Sequence, residues 1–223
     1  MKNTVLLLCG IALLTLSSCK NNDTTPIASK NNEATQLQPT TTPTPQPVTA
    51  MGAVPIDVAS SIVNWRGSML FSFGEHYGTV NLKSGQLTLD NGTLTGGDFT
   101  VDMTTIANVD GGYNEGLVEH LKNEDFFNVM WFPEAHLKIT AIEHVDAIRK
   151  KIDANLTIKG VTKPIEIFKA TYHKDTGILD AKVKIDRTDW GINYAAKGFA
   201  KMKDKSISDV IELHAVIHTQ ATP

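Results

Sequence analysis

Lys151-Ile152-Asp153-Ala154-Asn155-Leu156-Thr157-Ile158-Lys159 alternates polar and apolar side chains without a break. Successive side chains of a strand point to opposite faces, so this period of two predicts a strand with one greasy and one wet side. The pattern recurs on both sides of it. Leu137, Ile139 and Ala141 alternate with His136, Lys138 and Thr140. Leu179, Ala181, Val183 and Ile185 alternate with Asp180, Lys182 and Lys184, and Ile211, Leu213, Ala215 and Ile217 with Glu212, His214 and Val216.

Turn chemistry separates these runs. Asp90-Asn91-Gly92 is a strong hairpin signal, because Asn-Gly adopts positive φ cheaply. Gly160-Val161-Thr162-Lys163-Pro164 is read as a tight hairpin, and Asp175-Thr176-Gly177 as a further connection. Eight strands are predicted, roughly 58–73, 77–90, 93–104, 135–146, 150–160, 164–174, 178–188 and 206–219. Between Asn108 and Met130 the spacing of Leu117, Val118 and Leu121 is helical, with Asn114 as the cap. Two strands change phase at glycine: Val80 and Leu82 give way to Leu87 and Leu89 around Gly85, and Leu94 gives way to Phe99, Val101 and Met103 around Gly96-Gly97. Such flips predict bulges, which bend long strands into closed sheets. The expected fold is all-β: an extended eight-stranded antiparallel β-barrel with one or two short helices in a crossover. A two-sheet sandwich is the competing architecture.

Lys138, Lys151, Asp153, Lys182, Lys184 and Asp186 lie along the polar faces, at depths where a bilayer would exact a few kcal/mol per charge. The apolar faces therefore point inward. Strands longer than ten residues give a bore of roughly 30 Å at about 3.3 Å per residue. Its predicted lining is Val63, Trp65, Phe99, Val101, Leu137, Ile139, Ala141, Ala154, Leu156, Ala181, Val183, Leu213 and Ala215. Four of these are alanines, which leave space unless neighbours fill it. The competing reading has Trp65, Phe99, Trp131, Phe168 and Trp190 plugging the bore as ordinary core.

Upstream the chain changes character. Met1-Lys2-Asn3 followed by the apolar run Val5–Leu16 matches a secretory signal. Leu16-Ser17-Ser18-Cys19 resembles the lipobox of bacterial lipoproteins, which implies a signal peptide over 1–18 and a lipidated Cys19. Residues 19–52 read as a Thr/Pro-rich disordered tether: Lys20–Ala50 has no aromatic residue and five of the nine prolines. The folded domain is expected over 53–223.

Composition excludes several classes. The 223 residues carry a net charge of -3, which removes the basic face that nucleic-acid binding needs. A charged fraction of 20% with a mean hydropathy of -0.12 fits neither a wholly disordered chain nor a polytopic membrane protein. The two cysteines, Cys9 and Cys19, leave none downstream for a disulfide framework or a cysteine-based zinc site.

Three ordered motifs make a more specific signal. They are Leu121-Lys122-Asn123-Glu124-Asp125-Phe126-Phe127-Asn128-Val129 with Trp131-Phe132-Pro133, then Leu156-Thr157-Ile158-Lys159-Gly160-Val161-Thr162-Lys163-Pro164, then Ile185-Asp186-Arg187-Thr188-Asp189-Trp190-Gly191-Ile192. Together they resemble the YceI-like lipid/polyisoprenoid-binding family over roughly Ile56–Thr219. Asn128 stands where aspartate is usual, Phe132 where tyrosine is common, and His136 near a usual aromatic. The resemblance implies a lipocalin-like barrel in an envelope compartment, binding isoprenoid-type or other amphiphilic lipid without catalysis. The lipobox implies a membrane attachment through the lipid anchor, and Lys20 after the cysteine gives no sign of inner-membrane retention, so the outer membrane, facing the periplasm or the cell surface, is the expected location.

Phe126 and Phe127 are expected to seal one end of the barrel. Asp186 and Arg187 are read as a charge-assisted pair or as holders of loop backbone, with a lipid headgroup as the other candidate partner. His76, His120, Arg187 and Lys197 are the mouth candidates, and Lys197, Lys201, Lys203 and Lys205 the candidates for a basic lip. His214 and His218 face outward on one strand, so no metal or other cofactor is expected. No G-x-S-x-G or H-E-x-x-H motif is present, and the chain is not expected to be an enzyme. A surface adhesion or assembly module with a filled core, and an enzyme using His76, His120 or Asp125 on a bound lipid, are the competing functions. A homodimer through an exposed strand edge stays open.

Overall fold

The computed structural model describes residues 52–70, 74–111, 114–197 and 206–220. The signal peptide, Cys9, Cys19, nearly all of the tether, and Lys201, Lys203 and Lys205 lie outside the described residues.

Among the described residues, nine strands form one antiparallel sheet: β1 (Gly52–Pro55), β2 (Ile62–Met69), β3 (Glu75–Asp90), β4 (Thr93–Asn108), β5 (Glu134–His144), β6 (Arg149–Ile158), β7 (Val161–His173), β8 (Ile178–Asp186) and β9 (Ile207–His218). The order β1-β3-β2-β9-β8-β7-β6-β5-β4 closes through β3–β4. Strand β3 pairs with β2 through Glu75–Asn81 and with β1 through Gln86–Leu89. The two short strands therefore share one place in an eight-position barrel. Between them Asp57 accepts from the backbone N–H of Ala59 and Ser60, making a turn at the start of the expected strand 58–73, which begins only at Ile62. Gly52, expected in the tether, belongs to β1, a strand too short for its alternation to be read.

The phase flips are bulges, one residue away from the glycines. Register breaks between Leu82 and Ser84, while Gly85 points inward under the Phe99 ring, where a Cβ would come within 2.8 Å of Cδ1. A further break in β4 is bridged by Thr105, whose hydroxyl accepts from the Asn81 N–H and donates to the Asp102 carbonyl at 2.8 and 2.7 Å. Strand β5 has a bulge that was not expected. Its register slips between Ile139 and Ala141, so Ala141 faces solvent and Ile142 takes the inward place opposite Ile152.

The turn after β6 is Lys159-Gly160, with φ of 49° and 72°, joining directly paired Ile158 and Val161. Thr162-Lys163-Pro164, expected in the hairpin, is part of β7. Phe132 packs beneath this turn, 2.9 Å from where a Gly160 Cβ would stand. Helix α1 (Glu115–Lys122) starts as predicted, the Asn114 side chain accepting from the Leu117 N–H at 3.0 Å. The predicted strand end at Thr188 is instead a 3-10 helix (Arg187–Trp190), capped by Asp186.

Strands β7 and β8 pair only from Lys169↔Lys182 to His173↔Ile178. Below that point the 3-10 helix lies against β7, and the buried Trp190 donates through Nε1 to the Leu156 carbonyl at 3.2 Å. The interior holds two clusters, one around Leu82, Leu87, Leu94 and Phe99, the other under the helix around Met103, Leu121, Phe126 and Trp190.

Candidate functional site

Inward side chains of the eight positions leave two chambers along the bore. The one beneath the helix has a volume of about 170 Å³. Its walls come from Val63, Trp65, Val80, Val101, Met103, Ile106, Leu156, Ile158, Ile185, Ile211 and Leu213. Leu117 and Leu121 of α1 close it from above, together with Phe126 and Phe127 of the turn after it, the two residues expected to seal one end. Exposed Gly74, Glu75 and His76 form part of its rim, so it reaches solvent there. The second chamber, deeper in the barrel, has a volume of about 110 Å³. It is lined by Phe99, Leu137, Ile139, Ala181, Val183 and Ala215, together with Leu82, Ile152, Ile167, Leu179 and Ile217. Val63, Val101, Leu156 and Leu213 border both.

Eleven of the thirteen residues expected in the lining therefore border a chamber. Ala154 faces inward and is 1% exposed, but packs between strands without bordering either chamber. Ala141 is the error: the β5 bulge turns it outward. Of the aromatic residues read as fillers, Trp131 and Phe168 are 75% and 66% exposed. Phe168 lies outside under the Lys151 ammonium, 5.2 Å from its ring centre. Met103, Ile106, Ile158, Ile185 and Ile211 were missed, although the same alternation carries Ile158, Ile185 and Ile211.

The polar groups near the mouth are bound to other protein groups. Arg187 is 1% exposed and borders the mouth chamber. Its guanidinium donates to the carbonyls of Ser208, Ile192 and Ile207 at 3.0, 2.6 and 3.4 Å, and lies 3.7 Å from Asp209. Burial lowers its pKa, against the attraction of Asp209 and Asp186. It stacks 6.0 Å from the Phe126 ring centre, tying the plug to the loop. Holding loop backbone is thus its structural role. Asp186 caps the 3-10 helix instead of pairing with it, accepting from the Thr188 N–H at 2.9 Å.

His76 Nδ1 sits 2.5 Å from Asp110, which also accepts from Asn108 at 2.8 Å. Burial pushes the Asp110 carboxyl up, but the hydrogen bonds from Asn108 and His76 outweigh it and hold it below its ordinary value. His120 stands edge-on to Phe126 and Tyr194, with centroids 4.9 and 4.5 Å away, and borders neither chamber. Lys197 is exposed; its backbone N–H donates to Asp209 at 3.1 Å. His214 pairs with Asp180 at 2.8 Å, and among the described residues no three His, Cys, Asp or Glu side chains converge as metal ligands.

The departures at Asn128 and Phe132 are harmless to this arrangement. Asn128 has φ of 49°, a left-handed conformation that Asn and Asp both tolerate. Phe132 uses its ring against Gly160.

Comparisons with known proteins agree with this architecture. The YceI-like domain family matches residues 55–219. Protein YceI of Salmonella newport is 30% identical over 152 residues, which make up 66% of this chain and 71% of that protein. The crystal structure of Burkholderia cenocepacia BcnA shares the fold with a TM-score of 0.58 at 16% identity, over 73% of this chain and 98% of that one. A domain from Saccharophagus degradans, described as polyisoprenoid binding and implicated in plant cell wall breakdown, does so with a TM-score of 0.51 at 13% identity, over 76% and 99%. On the family match over most of its length, the chain belongs to the YceI-like family.

Proposed function

We propose that the barrel holds the apolar chain of one amphiphilic lipid, isoprenoid-type or other, as a non-catalytic carrier. The observation that carries this reading is the chamber of about 170 Å³, greasy on all its walls and open at the Glu75–His76 rim. Burial of apolar surface drives association at about 25 cal/mol per Å², before the costs of immobilising the lipid. The polyisoprenoid-binding description of the Saccharophagus domain supports the same class of ligand. His76 is held by Asp110, and His120, edge-on to two aromatic rings and 3.5 Å from Asp125, borders neither chamber, so both suit structural roles better than proton transfer. Cys19, acylated, anchors the protein in the cell envelope at the outer membrane, facing the periplasm or the cell surface. The arm over 19–52 gives the barrel reach.

Native mass spectrometry of the protein purified without detergent tests the proposal. One lipid per chain is expected, with occupancy falling on Ala181→Trp while circular dichroism is unchanged. A bare protein mass that stays bare after exposure to lipid vesicles overturns it.

A further inference from the structure

The outer wall of the barrel carries an open groove of about 590 Å³ that crosses β7, β8, β9, β2 and β3 at one level. We propose that it binds a short, linear, acidic oligosaccharide of the uronic-acid type, independently of any lipid in the bore. Strand register builds the floor. Lys169 stands directly opposite Lys182, Lys182 opposite His214, and His214 opposite Asn64. Like charges directly opposite cost stability. Neither Lys169 nor Lys182 forms an ion pair or a side-chain hydrogen bond among the described residues, and Lys169 reaches Glu212 only through longer-range attraction. In the next row Glu212 lies 2.6 Å from Lys184 and 3.9 Å from Arg66. Aromatic rings stand at both ends. At one end the register slips between Lys150 and Ile152, so Phe168 and Lys169 together oppose Lys151, and both are exposed. The Lys151 ammonium lies 5.2 Å from the Phe168 ring centre and does not border the groove, which leaves the other ring face to a ligand. Tyr77, 42% exposed, stands at the far end.

Length, charge and hydrogen bonding select the ligand. Four spacings between five strands, at about 4.8 Å each, give about 19 Å, the length of about four pyranose rings. A pyranose turns one face of C–H groups outward, and that face stacks on an exposed ring as apolar surface does. Its hydroxyls both donate and accept. The floor offers partners of both kinds, ammonium and guanidinium donors beside the carboxylates of Glu166 and Glu212. Those carboxylates accept from sugar hydroxyls but repel an acidic peptide, whose ionised side chains only accept. Along the groove four cations (Arg66, Lys169, Lys182 and Lys184) face two carboxylates (Glu166 and Glu212), an excess of two on a chain of net charge -3. The positive potential is therefore local. It suits a short anion lying within the groove, not a nucleic acid that overruns it. One carboxylate per sugar also matches the one lysine per strand presented by Lys169 and Lys182.

Calorimetric titration of the full chain with tetragalacturonate, its methyl ester and tetraglutamate tests the assignment. The acid is expected to bind at low ionic strength and to weaken as salt screens the lysines. The ester, with the same length and no charge, is expected to bind about tenfold more weakly, and tetraglutamate no better than the ester. Lys169→Gln and Lys182→Gln are each expected to weaken the acid about fivefold and the ester hardly at all. Phe168→Ala is expected to weaken acid and ester alike, because stacking ignores the charge. Removing one of two facing lysines relieves repulsion, so the melting temperature of either lysine variant is expected to stay at or above that of wild type. Lipid occupancy in native mass spectra is expected to be the same in all three variants. Failure of tetragalacturonate to bind at low ionic strength overturns the proposal, as does binding that survives the double Lys169→Gln, Lys182→Gln variant undiminished. Equal affinity for the ester or for tetraglutamate overturns the acidic-sugar assignment. Should a variant not fold, the three ligands on the wild-type protein decide the question by themselves.

Discussion

Arg187 shows how much a single buried cation organises. Its guanidinium is almost fully out of water and is compensated chiefly by three backbone carbonyls, with the Asp209 carboxylate farther off. Removing it orphans those carbonyls and detaches the 3-10 helix from the start of β9. Arg187→Met is therefore expected to lower unfolding free energy by about 3 kcal/mol in urea titration. Unchanged stability would mean that the loop has other supports. Asp146 offers a titration instead. Hydrogen bonds from the Arg149 backbone N–H, the Arg149 side chain and the Ile148 N–H lower its carboxyl from 3.8 to about 2. A depressed folded pKa stabilises above the unfolded value, and that contribution is lost as pH falls through the folded one. Asp146→Ala is thus expected to be less stable than wild type above pH 3.8, with the difference fading towards pH 2. A difference that persists at the lower pH argues that the carboxylate's charge is not its cause.

Among elements, β5 carries the sharpest test. Its bulge turns Ala141 to solvent and Ile142 to the core, against a strict reading of the alternation. Ala141→Lys is expected to change stability by less than about 0.5 kcal/mol, while Ile142→Lys, burying an unpaired charge, costs about 3 kcal/mol. Thermal melts of the two variants decide which residue faces inward. The neighbouring Ala141-Ile142 pair explains why the sequence is ambiguous here: both are apolar, so either phase looks continuous. Strand β6 has no such pair, and Ile152, Ala154, Leu156 and Ile158 are all buried as its alternation requires. Lys150 lies in the same phase and is buried too, its ammonium donating to the carbonyls of Asp146 and Ala147 at 3.0 and 3.1 Å. Composition alone places a lysine outside; its partners are carbonyls three and four residues back, in the turn before β6, and the alternation does not show that this turn folds over the strand end. The mouth chamber was half legible. Phe126, Phe127 and Arg187 were named from their motifs, whereas Met103 and Ile106 lie beyond the register break in β4 and Ile158, Ile185 and Ile211 towards the mouth ends of their strands, where the local period does not say which inward residues meet the open space. Asn114 shows the opposite case, where a local signal suffices. Asn114→Ala is expected to cost about 1 kcal/mol, because the cap is formed within its own turn.

At the scale of the whole molecule, closure makes the barrel one cooperative unit. Seven of its eight junctions are continuous ladders or bulged ones, and the short β7–β8 ladder is completed by Trp190 inserted below it. A chain buried in the bore touches β2, β4, β6 and β9 together, so it stabilises the native state as a whole. A ligand at a hundred times its dissociation constant adds about 2.7 kcal/mol, since it binds only the folded form. For a domain of this size each kcal/mol moves Tm by about 2–4 °C, so a single transition is expected to shift upward by about 5–11 °C. The proposed anchor lies on a separate stretch and makes a separate prediction. Cys19→Ser is expected to move the protein from the membrane fraction to the soluble one, while the ligand-induced Tm shift stays the same. Were the shift to disappear with the anchor, the lipid measured in the wild type would be the one attached to Cys19, not one held between Val63, Val101, Leu156 and Leu213. Loss of membrane association with the shift retained separates tether from bore, and assigns the lipid-binding free energy to the barrel alone.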